Sequence, residues 1–220
     1  MTLSGYTTLY FDYDGTLHDS LHVYAPAFRK AYQALVDHHG ATPRIWPDEE
    51  IQPFLGQTPG ELWASFGREI GERAKNKASA LISEQMRQAI KKGEARLYDG
   101  ALETLGKLKA RGYTLVFISN CRQYYMHAHA KQFGLEAYFD RMVCSETYPG
   151  IERKADVLAR VMEDFPGKAA IIGDRWHDME AGHENGLTTV AAAYGFGHSD
   201  ELKDADHAIG TVKDLLKLFE

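Results

Sequence analysis

Two carboxylates separated by one residue follow an apolar run and precede a glycine in Phe11-Asp12-Tyr13-Asp14-Gly15-Thr16-Leu17. If extended geometry persists through the pair, both side chains point the same way. Gly15 then lets the chain turn sharply behind them. Acids at the end of an interior strand cost free energy unless a cation or hydrogen bonds compensate them. A turn capped by its own Asp side chains fits the same residues.

A second acidic pair stands in Ile172-Gly173-Asp174-Arg175-Trp176-His177-Asp178. One acid closes an apolar run and the other follows a helical turn later, so they can converge from a strand end and the next helix start. Hard oxygen ligands of this kind suit Mg²⁺, although capping of a helix N-terminus also uses Asp. Ser119-Asn120 comes straight after the run ending at Ile118. A hydroxyl with backbone N–H groups at a helix start can cradle phosphate, and the same pair also reads as a plain cap. Lys154 opens a further helical pattern. Alone it reads as a solvated lysine, and it takes meaning only from the other three signals.

The elements that must position these residues alternate. Apolar, β-rich runs at 7–11, 113–118, 169–172, 188–191 and 208–209 read as strands. Helical patterns at 101–110, 124–133, 153–163, 178–185 and 212–219 separate or follow them. Strand-helix alternation predicts an α/β fold, a parallel sheet wrapped by helices. Right-handed crossovers then bring every strand's C-terminal end to one edge, where open α/β sheets bind ligands. Helical patterns at 21–36, 59–66 and 70–92, rich in Leu, Ile, Ala and aromatics, interrupt the alternation. They predict an inserted α-helical cap domain at 18–95, with the core domain at 1–17 and 96–220.

The chain has 220 residues, 44% hydrophobic and 25% charged, with a net charge of -6. That is ordinary globular composition with no basic stripe of the sort nucleic acid demands. Cys121 and Cys144 are too few for a disulfide scaffold and form no CxxC pair, so both are expected as packed thiols in a reducing compartment. Neither a signal peptide nor a membrane span is expected, and the expected location is cytoplasmic. The ten histidines form no metal pattern.

Acids, hydroxyl, lysine and acids again, in this order, resemble the haloacid dehalogenase-like hydrolase superfamily across essentially the whole chain. Asp12-Tyr13-Asp14-Gly15-Thr16 matches its first motif, Ser119 the second, Lys154 the third, and Gly173-Asp174 with Asp178 the fourth. The helical insertion right after the first motif resembles the cap of the phosphoglycolate phosphatase and β-phosphoglucomutase branch. The resemblance implies that Asp12 attacks phosphorus to form an aspartyl phosphate. It implies that Asp14 protonates the leaving alcohol and then activates water. It also implies Mg²⁺ held by Asp12, the Asp14 backbone carbonyl and Asp174, with Asp178 direct or through water. Ser119, Asn120 and Lys154 would hold and balance the phosphoryl group. Dehalogenase members lack an acid at the position of Asp14, and phosphatases and phosphomutases keep one.

The sequence departs from the family pattern at Arg175, where many relatives carry a small hydroxyl residue, and at Ala155, where Pro is common. Arg175 is expected to point to solvent, with phosphate or an acid as alternative partners. Arg153 is a lesser candidate for the role of Lys154. Gly56-Gln57-Thr58-Pro59-Gly60, His18, His22 and Trp63 are candidates to face the site from the cap, or to pack within it. The implied cap closes over the phosphate and carries specificity. The expected activity is Mg²⁺-dependent hydrolysis of a small organic phosphate monoester by a monomer or homodimer, with phosphoglycolate-like or sugar phosphates as first substrates. A phosphomutase and a non-catalytic phosphate-binding protein on the same fold are the alternatives.

Overall fold

The apolar run before the first acidic pair is strand β1 (Thr8–Phe11), buried along its whole length. A computed structural model describes residues 2–55, 57, 59–64, 66 and 70–219. The chain divides into two compact units, one made of residues up to Asp19 with those from Leu97 onward, the other of Ser20–Arg96.

The second unit contains α1 (Leu21–His39), α2 (Asp48–Ile51), α3 (Pro59–Ala64) and α4 (Glu72–Lys91). It has a core of its own, in which Phe28, Tyr32 and Trp46 meet Ala74, Ala78 and Ile82. The Trp46 ring centroid lies 5.2 Å from that of Phe28 and 5.1 Å from that of Tyr32. Edge-to-face pairs of this kind add about 0.5–1.5 kcal/mol each beyond their burial.

The first unit continues with α5 (Ala101–Ala110), β2 (Thr114–Ser119), α6 (Gln123–Phe133), β3 (Arg141–Cys144) and α7 (Lys154–Met162). It ends with β4 (Ala169–Gly173), α8 (Trp176–Glu184), β5 (Thr188–Ala192), α9 (Ser199–Leu202), β6 (His207–Ile209) and α10 (Leu215–Leu218). The six strands form one parallel sheet in the order β3-β2-β1-β4-β5-β6. This is the expected α/β fold. Strand order reverses between β1 and β4, and such a switch point opens a crevice at the strands' C-terminal ends. Phe11 pairs with Phe117 on one side and Ile172 on the other. Residues just past these positions therefore share one edge of the sheet.

Side chains alternate across the sheet. Tyr10, Val116, Ile118 and Ile171 pack with Val157, Leu158 and Val161 of α7 and Ala181 of α8. Phe11 and Phe117 meet Phe139 edge-on at 6.0 and 5.7 Å. Full burial of side chains this size is worth about 1.5–3 kcal/mol each, which anchors the strand ends that carry the acids.

Strand β3 was not expected from sequence. It is a four-residue edge strand whose first residue is exposed, too short for a periodicity signal. Helix α8 begins at Trp176, ahead of the expected Asp178, and α6 begins at Gln123. Among the described residues no helix is long and apolar enough to cross a membrane.

Candidate active site

Asp12 follows β1 and Asp174 follows β4, so the switch point itself brings them side by side. The ladder extends one step further, with Asp12 N–H donating to the Ile172 carbonyl at 2.8 Å. Asp178 sits in the first turn of α8, and Lys154 is the first residue of α7. All four side chains are buried. Ligand oxygens of Asp12, Asp174 and Asp178 lie within 4.8 Å of one another.

Lys154 joins two of these acids. Its ammonium donates to Asp12 Oδ1 and, at 2.5 Å, to Asp178 Oδ1. Burial pushes the lysine pKa down, but the charges and hydrogen bonds of Asp12 and Asp178 outweigh that and hold it above the ordinary value. Asp178 also caps its helix, accepting the Arg175 N–H at 3.0 Å through Oδ2. The capping and cluster readings of Asp178 are thus both met, by different oxygens.

One ammonium cannot neutralise three buried carboxylates. Burial raises Asp12 to about 7, with Lys154 opposing and Asp178 and Asp14 adding to the rise. Burial, then Asp12 and Asp178, pushes Asp174 well above the usual carboxylate range. Asp174 Oδ2 accepts the Phe196 N–H at 2.7 Å, whereas its buried Oδ1 has no partner. The backbone is cut away around these carboxylates. Gly15 has φ +81, and a Cβ there would overlap the Asp174 carboxylate; a Cβ on Gly173 would overlap that of Asp178. An all-oxygen donor set, an orphaned carboxylate oxygen and excess negative charge fit a small hard divalent cation such as Mg²⁺.

The Asp14 carboxylate is not part of this cluster. Its Oδ1 accepts from His18 Nδ1 at 2.9 Å and from the Tyr125 hydroxyl at 2.8 Å. Burial pushes the Asp14 pKa up, but the bond and charge of His18, then His129 and the Tyr125 bond, bring it below the ordinary value. Behind it the Tyr13 hydroxyl and His129 Nδ1 are 2.6 Å apart. Burial, with the charge of His18, lowers His129 to about 3. Tyr125 and His129 gave no sequence signal, lying 111 and 116 residues from their partners on the first motif.

Ser119 ends β2, next to β1, and is buried; its Oγ accepts the Cys121 N–H at 3.2 Å. Asn120 is exposed. Helix α6 starts only at Gln123, so neither residue opens the helix as the sequence suggested; both lie in the loop before it. Arg175 does not point to solvent. Its Nε donates to Glu201 Oε2 at 2.9 Å, binding the loop after β4 to α9. Arg153 faces Glu184 on the surface of α8. Cys121 and Cys144 are free thiols.

Of the cap candidates, His18 belongs to the first unit and is fully buried. It bridges to Leu97, where the chain returns from the insertion. Trp63 packs in the second unit's core, its indole N–H donating to Ser79 Oγ at 2.7 Å. His22 and Gln57 are exposed. Gly56 and Thr58 lie outside the described residues.

The haloacid dehalogenase-like hydrolase family matches residues 9–192. A pyrophosphatase PpaX from Bacillus velezensis is 26% identical, over 99% of this chain and 98% of that protein. A phosphoglycolate phosphatase from Chromobacterium violaceum is 27% identical, over 100% of this chain and 99% of its own. The solved structure of a haloacid dehalogenase-like hydrolase from Streptococcus pneumoniae shares the fold. It superposes with a TM-score of 0.84 at 24% identity, over 99% of this chain and 100% of that one. With the strand-end acids in place and the family match spanning most of the sequence, the chain belongs to the haloacid dehalogenase-like hydrolases.

Proposed function

We propose that this hydrolase is a Mg²⁺-dependent phosphatase that cleaves a small organic phosphate monoester through an aspartyl phosphate on Asp12. The observation that carries this reading is the buried trio of Asp12, Asp174 and Asp178, bridged by Lys154 and left with an unpartnered Asp174 Oδ1. Asp174 and Asp178, with Asp12 and the Asp14 carbonyl, would hold the ion. Bound Mg²⁺ supplies positive charge that offsets the repulsion between an attacking carboxylate and a phosphate dianion.

A carboxylate oxygen of Asp12 attacks phosphorus as the ester P–O bond breaks, and Asp14 delivers a proton to the departing alkoxide. Asp14, now ionised, takes a proton from the water that attacks the aspartyl phosphate, releasing phosphate and regenerating Asp12. Lys154 favours the ionised form of Asp12 and orients it, and its charge is shared with the incoming phosphoryl oxygens. Ser119 contributes its hydroxyl at the same sheet edge, with the Asn120 N–H beside it. The relatives' names make phosphoglycolate and pyrophosphate the first substrates to try, with the sugar phosphates that the family resemblance implies.

The test is a phosphate-release screen of these compounds and p-nitrophenyl phosphate, in Mg²⁺ and in EDTA. Release that EDTA abolishes and Mg²⁺ restores is the expected result. Release unaffected by EDTA, or none from any compound with folded protein, contradicts the proposal.

A further inference from the structure

Asp14 is held in an unusual way for a partly exposed acid. Its side chain is 31% exposed, yet a fully buried imidazole and a buried phenol both aim at a single oxygen, Oδ1. Among the described residues Oδ2 takes no hydrogen bond. Facing a carboxylate, His18 Nδ1 must carry its hydrogen, which agrees with the unpartnered His18 Nε2. The single hydroxyl hydrogen of Tyr125 is likewise spent on Asp14, so its 3.1 Å approach to His18 Nδ1 is not a competing donation.

Both donors are themselves immobilised. The His18 ring stacks on Tyr13 at 5.2 Å with an interplanar angle of 12°, and meets His129 at 4.5 Å. Its backbone is pinned by bridges to Asp14 and Leu97. Tyr125 packs on His129 at 4.1 Å, and His129 is tied to Tyr13 at 2.6 Å. An acid that must meet a leaving-group oxygen and then a water gains from a fixed side chain, because misplacement by an ångström costs rate.

We propose that His18 and Tyr125 are positioning residues that clamp Asp14 by Oδ1 and so reserve Oδ2 for the proton that Asp14 gives and takes. The inference rests on the acid/base reading of Asp14 above. Both act through Asp14, whose Oδ1 they hold.

The test compares Tyr125→Phe, which keeps the ring packing, with Asp14→Asn and wild type on an aryl ester with a good leaving group and an alkyl ester with a poor one. Charge-assisted bonds of this kind predict about a tenfold to hundredfold loss of kcat/KM, which reads the steps up to departure of the leaving group, for Tyr125→Phe on the alkyl ester. On p-nitrophenyl phosphate the loss of kcat/KM is expected to be within about threefold, since little protonation is needed there and the later attack of water does not enter kcat/KM. His18→Asn, which keeps an N–H near Nδ1, is expected to lose less than His18→Ala. Equal losses of kcat/KM on the two esters, or no loss on either, overturn the proposal. A bias in Asp14→Asn without one in Tyr125→Phe overturns the clamp alone. No bias in Asp14→Asn overturns the acid/base reading and the clamp with it. Crystal structures give a readout independent of turnover. Asp14 is expected in one rotamer in wild type and in several in Tyr125→Phe, and an unchanged single rotamer in the variant overturns the proposal.

Discussion

Replacing Lys154 by Met removes the one ammonium that serves Asp12 and Asp178, while keeping most of the side-chain volume. Both carboxylates lose a buried hydrogen-bond donor, and Asp174 gains no compensation. Breaking a buried ion pair from one side costs about 3–5 kcal/mol, because the orphaned charge stays in the interior. A unit of this size moves its melting temperature by about 2–4 °C per kcal/mol. The expected fall is therefore roughly 6–20 °C at pH 8 in EDTA, read by scanning calorimetry. The loss should shrink at pH 5.5, where the buried carboxylates can take up protons instead of remaining unpaired. A fall of only a degree or two at pH 8, or one of equal size at both pH values, would show that Lys154 is not the compensating charge of this cluster.

Two further outcomes follow from the same cluster. In metal-free protein Asp12 has its pKa raised from 3.8 to about 7, so the folded state keeps a proton that the unfolded chain has lost. Its contribution to stability is complete below about pH 4 and is lost as pH rises towards 7. A cation competing for the same oxygens should then raise the melting temperature more at pH 8 than at pH 5.5; equal Mg²⁺ shifts would contradict this. Gly15→Ala forces an L side chain into φ +81 and into the Asp174 carboxylate. Calorimetric titration should find at least a tenfold loss of Mg²⁺ affinity, and wild-type affinity would mean that Asp174 takes no part in holding the ion.

How much of this was legible in the sequence depended on where the chemistry is encoded. Asp12, Asp174 and Ser119 stand at the ends of apolar runs, so local pattern and parallel topology together put them on one edge. Lys154 is different. Its position at a helix start is local, but the burial that makes it a cation for Asp12 comes from α7 packing on the sheet. Arg175 looked solvent-facing because its partner Glu201 lies 26 residues on, in a helix of four residues without a periodic pattern. His18 is the first residue of the expected insertion, 18–95, and lies just past the first motif. What ties it to the first unit is a bridge to Leu97 across the whole insertion, which no local pattern records. The clamp of His18 and Tyr125 on Asp14 was invisible for the same reason: a tyrosine in the first turn of α6 looks like any core tyrosine until the fold sets it against the first motif.

The central claim is a covalent phosphate on Asp12, and trapping it is the most direct test. Acid quench during turnover, followed by borohydride reduction and peptide mass spectrometry, converts an aspartyl phosphate to homoserine at the modified position. The account predicts homoserine at position 12 in wild type and an enhanced yield in Asp14→Asn, where water activation is slowed. Phosphate release with an unmodified Asp12, or modification at another aspartate, would contradict it.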